Sequence, residues 1–512
     1  MFRAFAVAAL ALAFAGLLAG CKSQQRDPGT VVFMIQSSPA NLDPRIGTDE
    51  GSEHIDELLF DGLVERDQNF QFKPSLAESW QQPDARTLIF HLRSGVRFSD
   101  GRPLTSRDVA WTIDSMMKGV VISPRAASYA SIASIDTPDP LTLIFHLKRP
   151  DNFLMTNLAH GALGVVPYGS GKDFWRHPVG TGPFRFVSER IDQDVVVESN
   201  PLSWSVIPKI ARVRFAVVPD AITMSLELEK GSADLEINSL PMDALGVLES
   251  RANLAVDDVP GTEVQYLAFN TRDPILKDVR VRQAIAYSIN RGLIIRTLLR
   301  GHARPAYSLL PPTHWAWTGD VEHYDFDPAR ANQLLDDAGY KRASNGIRFR
   351  LTMKTSTDER ARLLAAVLEQ QLAQVGIDLE QRSSEFATFY SDVTHGAFQM
   401  YSLYWVGGNE QPDIFSYAFT SARVPPKGAN RGYYLNPKLD ALLDDAEQAG
   451  DQARRRVDYV EAQQILARDL PSFNLWYLDS IVVHNRRLTH VIPSPSGKYT
   501  FLETAQFDES SR

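Results

Sequence analysis

Residues 398–419 read FQMYSLYWVGGNEQPDIFSYAF. They set two large aromatic residues, Tyr404 and Trp405, one residue before a Gly407-Gly408 break. A short polar loop with Glu410, Pro412 and Asp413 follows, and aromatics resume at Phe415 and Tyr417. Aromatic faces beside a flexible polar loop suit non-covalent capture of a ligand. The same composition also suits a core strand and its exit loop, because apolar runs are usually interior. Bond-making chemistry finds little support. There is no Gly-x-Ser-x-Gly elbow and no His-Glu-x-x-His. The 11 histidines are scattered, none within four residues of another. A metal site would want histidine or carboxylate ligands converging, and only His395 lies near this stretch. Gly180-Thr181-Gly182-Pro183-Phe184 is not a phosphate loop: no Lys-Ser/Thr follows, and Pro183 lacks an N–H that a nucleotide would want. Neither an enzyme nor a cofactor is expected.

The elements that position these residues follow from periodicity. Residues 347–354 read as a strand, 358–375 as a helix stopped by Gly376, and 377–382 as a strand. That is a βαβ unit, which needs a parallel pair. Residues 398–405 are the next strand. Lys354 and Trp405 then stand at strand C-terminal ends, where ligands of open α/β sheets bind. Upstream, residues 266–270 (YLAFN) are extended and residues 278–299 read as one long helix. The hexapeptide TLIFHL occurs twice, at 87–92 and 142–147. In each copy Thr, Ile and His fall on one side and Leu, Phe and Leu on the other, as in half-buried antiparallel strands. Thr105 with Asp108 reads as a capping box for the helix that follows. Residues 493–508 read as a loop-like tail.

Length and charge set the frame. At 512 residues, two or three lobes are expected. Apolar residues make up 44% and charged residues 22%, a globular profile. With 53 basic and 62 acidic residues the net charge is −9 and no basic patch stands out, so no nucleic-acid partner is expected. The N-terminus has a basic start at Arg3, an apolar stretch over 4–18, and Leu18-Ala19-Gly20-Cys21, which holds the only cysteine. The apolar stretch is too short to span a bilayer comfortably. It resembles a bacterial lipoprotein signal, in which Cys21 becomes the first mature residue and is lipidated. Residues 22–30 then form a polar tether.

The ordered motifs Leu42-Asp43-Pro44, Phe60-Asp61-Gly62-Leu63, Leu76-Ala77-Glu78-Ser79-Trp80 and FHLRSGVRFSDG at 90–101 resemble extracytoplasmic solute-binding proteins of family 5. These are the peptide- and nickel-type binding components of ABC importers. The match continues at 105–109, 180–186, DVRVRQAIA at 278–286, and 328–340, and covers essentially the mature chain. The resemblance implies an α/β, two-lobed periplasmic-binding-protein type II fold with an additional inserted subdomain. Its parts would be a signal peptide at 1–20 and a tether at 21–30. Lobe I would be 31–62, 177–262 and 485–512, the inserted subdomain 63–176, and lobe II 263–484. Residues 266–270 and 481–484 would be the crossing strands, which brings Tyr266 and Asn270 to the cleft. The loop after Asp43-Pro44 points to Thr48 and Asp49 as cleft residues. Trp405, next to Tyr404, occupies the family's strand-end position. The peptide binders carry an aspartate for the ligand's α-ammonium group where this chain has Gly408, and Asp413 or Glu410 is the available substitute. Lys354 would pair with a ligand carboxylate. The implied function is capture of a peptide or peptide-like solute and delivery to permease subunits, by a monomer lipid-anchored in the periplasm or on the outer cell surface. The alternatives are a non-peptide solute, including a metal complex, or a signalling or chaperone module on the same scaffold.

Overall fold

The computed structural model describes residues 29–67, 69–159, 163–405 and 411–508. Cys21, Gly407, Gly408 and Glu410 lie outside these residues. The run VVFMI is the middle of a seven-stranded sheet. In order, the strands are Leu254–Val259, Ser480–Asn485, Leu235–Ile237, Thr30–Ile35, Arg212–Val217, Asp194–Ser199 and Phe184–Arg190. Thr30–Ile35 is buried along its whole length and parallel to both neighbours. A strand covered on both faces has no use for alternation, which is why the run is continuously apolar.

A second sheet of six strands runs Ala303–Pro305, Ser472–Leu478, Val264–Phe269, Met400–Trp405, Phe349–Ser356 and Ile377–Ser384. The expected βαβ unit is present: Phe349–Ser356 and Ile377–Ser384 pair in parallel, joined through the helix Glu359–Ala373. The sheet is mixed, however, since Val264–Phe269 is antiparallel to both of its neighbours. The helix expected over 278–299 is two, Val279–Ser288 and Arg291–Thr297. Ile289 is extended between them, and the Asn290 side chain accepts from the Leu293 N–H at 2.9 Å to start the second.

The two TLIFHL copies pair with each other, antiparallel, with Ile89 opposite Ile144. Both alternate half-buried and buried along the strand, and Phe90 meets Phe145 edge-to-face at 5.7 Å. With Ala77–Asp84 and Ile132–Asp139 they form a four-stranded antiparallel sheet. The helix Ser106–Met117 starts as read, with Asp108 accepting from the Thr105 backbone N–H at 2.7 Å.

Two connections join the large sheets. One is residues 260–263, between Leu254–Val259 and Val264–Phe269. The other is the single residue Asp479, between Ser472–Leu478 and Ser480–Asn485. Residues 266–270 and 481–484, expected to cross, lie instead within the sheets or at a strand end. The crossings touch: a Cβ added at Gly261 would come within 2.0 Å of the Leu478 carbonyl oxygen. The tail is also more ordered than a loop. Tyr499, Phe501, Leu502 and Ala505 are buried in the first lobe, and Tyr499 meets Phe33 at 4.5 Å. These apolar residues follow neither strand nor helix period, because a short 3₁₀ turn presents them.

Candidate functional site: the cleft between the lobes

Where the crossings bring the two sheets together, a cavity of about 180 Å3 opens. Its first-lobe wall carries Glu236, Asn238, Met242 and Leu245, with Glu50 at the start of the helix Glu50–Leu59. Glu263, Tyr404 and Arg360 face it from the second lobe. A larger cavity of about 460 Å3 continues from it, since both are lined by Thr262, Pro495 and Ser496. The larger one carries charged side chains in its walls, among them Asp61, Glu65, Arg66, Lys73, Lys498 and Glu503, interleaved with Phe60, Phe70 and Phe501. Across the opening the inserted subdomain touches the second lobe. The Asn152 amide donates to the carbonyls of Glu447 at 2.7 Å and Ala449 at 3.0 Å.

The cavity walls hold acids far from their ordinary behaviour. Glu236 is 0% exposed, and burial pushes its carboxyl up to about 8. One of its oxygens accepts from the Ser239 N–H at 2.9 Å; the other has no hydrogen-bond partner among the described residues. Burial, with the charge of Glu50 adding and Arg360 opposing, raises Glu263 to about 7. In the larger cavity burial raises Glu503 to about 7, with Asp61 and Glu65 adding. Acids shifted in this way cluster where charged ligands bind or react.

Strand alternation separates the two residues singled out in the aromatic stretch. Tyr404 lines the 180 Å3 cavity and an apolar neighbour of about 110 Å3. Trp405 points the other way and stacks on Tyr266 at 5.6 Å. Over that pair sits Arg431, which the sequence reading missed. Its guanidinium lies 5.6 Å from the Trp405 ring and donates to the hydroxyls of Tyr266 and Tyr390, each at 3.1 Å. Only about 20 Å3 remains open there.

The other sequence-derived candidates are dispersed. Thr48 is exposed and lines neither cavity, while Asp49 caps the helix Glu50–Leu59, accepting from the Ser52 N–H at 3.0 Å. It is the next residue, Glu50, that reaches the cavity. Asn270 stands beyond the far end of its strand, and its amide donates to the Phe398 carbonyl at 2.9 Å. Lys354 is paired with Asp392 at 2.5 Å, on the helix Phe386–Thr394. Asp413 precedes the helix Ile414–Phe419, and burial, with Glu447 adding, pushes it up to about 6. Glu50, Glu236, Glu263 and Arg360 carried no motif. The one available hint was a glutamate inside the apolar strand Leu235–Ile237, a place acids rarely occupy.

One group of described residues has the donors for a metal, Asp258, His302 and Asp479, whose ligand atoms lie within 4.8 Å of one another. Arg304 holds Asp479 at 2.5 Å and His302 holds Asp258 at 3.0 Å. The group is thus already an ion-pair network beside a crossing.

Comparisons place the chain among known proteins. A 25% identical relative is the dipeptide-binding protein of Escherichia coli K12, aligned over 92% of this chain and 94% of its own. The glutathione-binding protein GsiB of Shigella dysenteriae is 27% identical, over 95% of each chain. The solved structure of the periplasmic binding protein DppA of Helicobacter pylori, in complex with the peptide STSA, superposes with a TM-score of 0.73 at 25% identity. It covers 95% of this chain and all of that one. Residues 71–425 match the model of the bacterial extracellular solute-binding proteins, family 5 Middle, and the chain belongs to that family.

Proposed function

We propose that this protein is the solute-binding component of an ABC importer. It takes up a peptide or peptide-like solute between its lobes and hands it to the permease subunits. The observation that carries this reading is the pair of adjoining cavities at the crossing of the two sheets. Concave sites of a few hundred Å3 with a few fixed polar groups are the form small-molecule sites take. A family whose members include dipeptide and glutathione binders supports the peptide class. Tyr404 and Glu50 contact the solute, while Trp405, Tyr266 and Arg431 hold the strand-end wall. Asp413, Lys354, Thr48, Asp49 and Asn270 act through packing and capping rather than contact. The chain works as a monomer outside the cytoplasm, held to a membrane by lipid on Cys21; no described helix is long and apolar enough to cross one.

Thermal-shift titration of residues 22–512 tests the reading, with dipeptides, oligopeptides and non-peptide solutes as probes. A ligand at 100 times its Kd stabilises the folded state by about 2.7 kcal/mol. A raised melting temperature with some peptide is the expected result. A shift with non-peptide solutes alone would overturn the peptide class.

A further inference from the structure

We propose that the cavity at the crossing seats a protonated amine of the solute, with the carboxylate of Glu236 as its partner and Glu263 and Glu50 completing an anionic wall. This rests on the solute-binding reading above and names the chemistry of the group that reaches the cavity floor. Glu236 lines the cavity, is wholly buried, and leaves one carboxylate oxygen without a hydrogen-bond partner among the described residues. A buried acceptor left open costs about 1–3 kcal/mol, and more when charged. The neighbouring residues do not supply the missing donor. Asn238, Ser480 and Tyr404 share the lining but make no hydrogen bond to that oxygen, and Arg360, the only basic residue in the lining, is exposed on the opposite wall. An anionic group would meet like charge here, a neutral apolar one would leave the oxygen open, and a neutral hydroxyl or amide would supply a donor without the charge. An ammonium group supplies both donor and charge. Leu240, Met242 and Leu245 line the same cavity and suit the methylene stem behind such a group.

Burial holds Glu236 near 8 and Glu263 near 7, so part of the wall is protonated at neutral pH. A bound cation favours the charged carboxylate, so binding releases a proton and affinity rises with pH up to about 8. The other titratable groups facing this region are Glu50, Asp243, Arg360, Tyr404, Asp479 and Tyr499. Asp243 is paired with Arg300.

Calorimetric titration at pH 6, 7 and 8 tests this, with L-alanyl-L-lysine, its Nα-acetyl derivative and its Nε-acetyl derivative. The expected result is that acetylating one of the two amines weakens binding at least ~10-fold. Loss on Nα-acetylation identifies the peptide α-ammonium as the seated group, and loss on Nε-acetylation the lysine side chain. Glu236→Gln should weaken the dipeptide ~10-fold and flatten its rise with pH, and Glu263→Gln should give a smaller loss; melting curves show that both variants fold. Equal affinity of all three compounds, or unchanged affinity in Glu236→Gln, overturns the proposal. Failure of the dipeptide to bind a protein that other peptides stabilise overturns it too, and leaves the solute-binding reading standing. Silence across every peptide overturns both.

Discussion

Glu236 shows how one residue can work against the fold it belongs to. Its carboxyl titrates near 8 in the folded chain, against about 4.3 for an exposed glutamate. A folded-state value raised in this way contributes stability below the unfolded value and loses it as pH climbs through the folded one. The folded protein should therefore weaken between pH 4.5 and 8 because of this one group. Glu236→Gln keeps an oxygen for the Ser239 N–H and removes the charge. Urea denaturation should find the variant matched to the parent near pH 4.5 and more stable by roughly 2–4 kcal/mol at pH 8. An unchanged or falling difference with pH would contradict the burial argument. The fold is better without its charge, a cost of the kind binding sites carry. Sequence alone did not mark it, because a lone acid acquires meaning only from what surrounds it. Glu236 and Glu263 are 27 residues apart in the chain and line one cavity because residues 260–263 form one of the two crossings.

Whole elements were much more legible. The TLIFHL pair was readable because strict alternation over six residues suits a half-buried strand and little else, and the two copies do pair. The βαβ unit was readable from its periodic helix and its Gly stop. The strand Met400–Trp405 was placed correctly, but which of Tyr404 and Trp405 faces the 180 Å3 cavity depends on its pairing with Val264–Phe269. Pairing is set by distant residues, so no local pattern states it. The long helix was over-read for a similar reason, since apolar spacing carries on across residues 289–290 while the backbone does not. That break is built by Asn290, which accepts from the Leu293 N–H and whose own N–H donates to the Gln371 side chain at 2.8 Å. Asn290→Ala should cost about 1 kcal/mol by chemical denaturation. A change below a few tenths would mean the cap is not what stops the first helix.

At the scale of the molecule, the cleft is bounded at its base by the two crossings and at its mouth by the inserted subdomain. The Asn152 amide links that subdomain to the end of the helix Pro437–Gln448, at residues that line neither cavity. Phe70 also meets His314 and Arg455 lies over Phe153, and the two Asn152 hydrogen bonds add about 1–2 kcal/mol to holding the subdomain against the second lobe. Asn152→Ala should then loosen solute binding by roughly threefold to tenfold, through faster release, with the melting temperature of the unliganded protein little changed. Stopped-flow dissociation measures this directly, and an unchanged release rate would remove the contact from any role in closure.

The placement of Tyr499, Phe501 and Leu502 against Phe33 has a consequence for biogenesis. The six strands of the second lobe all lie between residues 264 and 478, so that half can assemble from one uninterrupted stretch of chain. The first lobe begins with its central strand at Thr30 and is not sealed until the final turn has arrived. A polypeptide synthesised from its N-terminus must therefore leave its earliest strand waiting for its last residues.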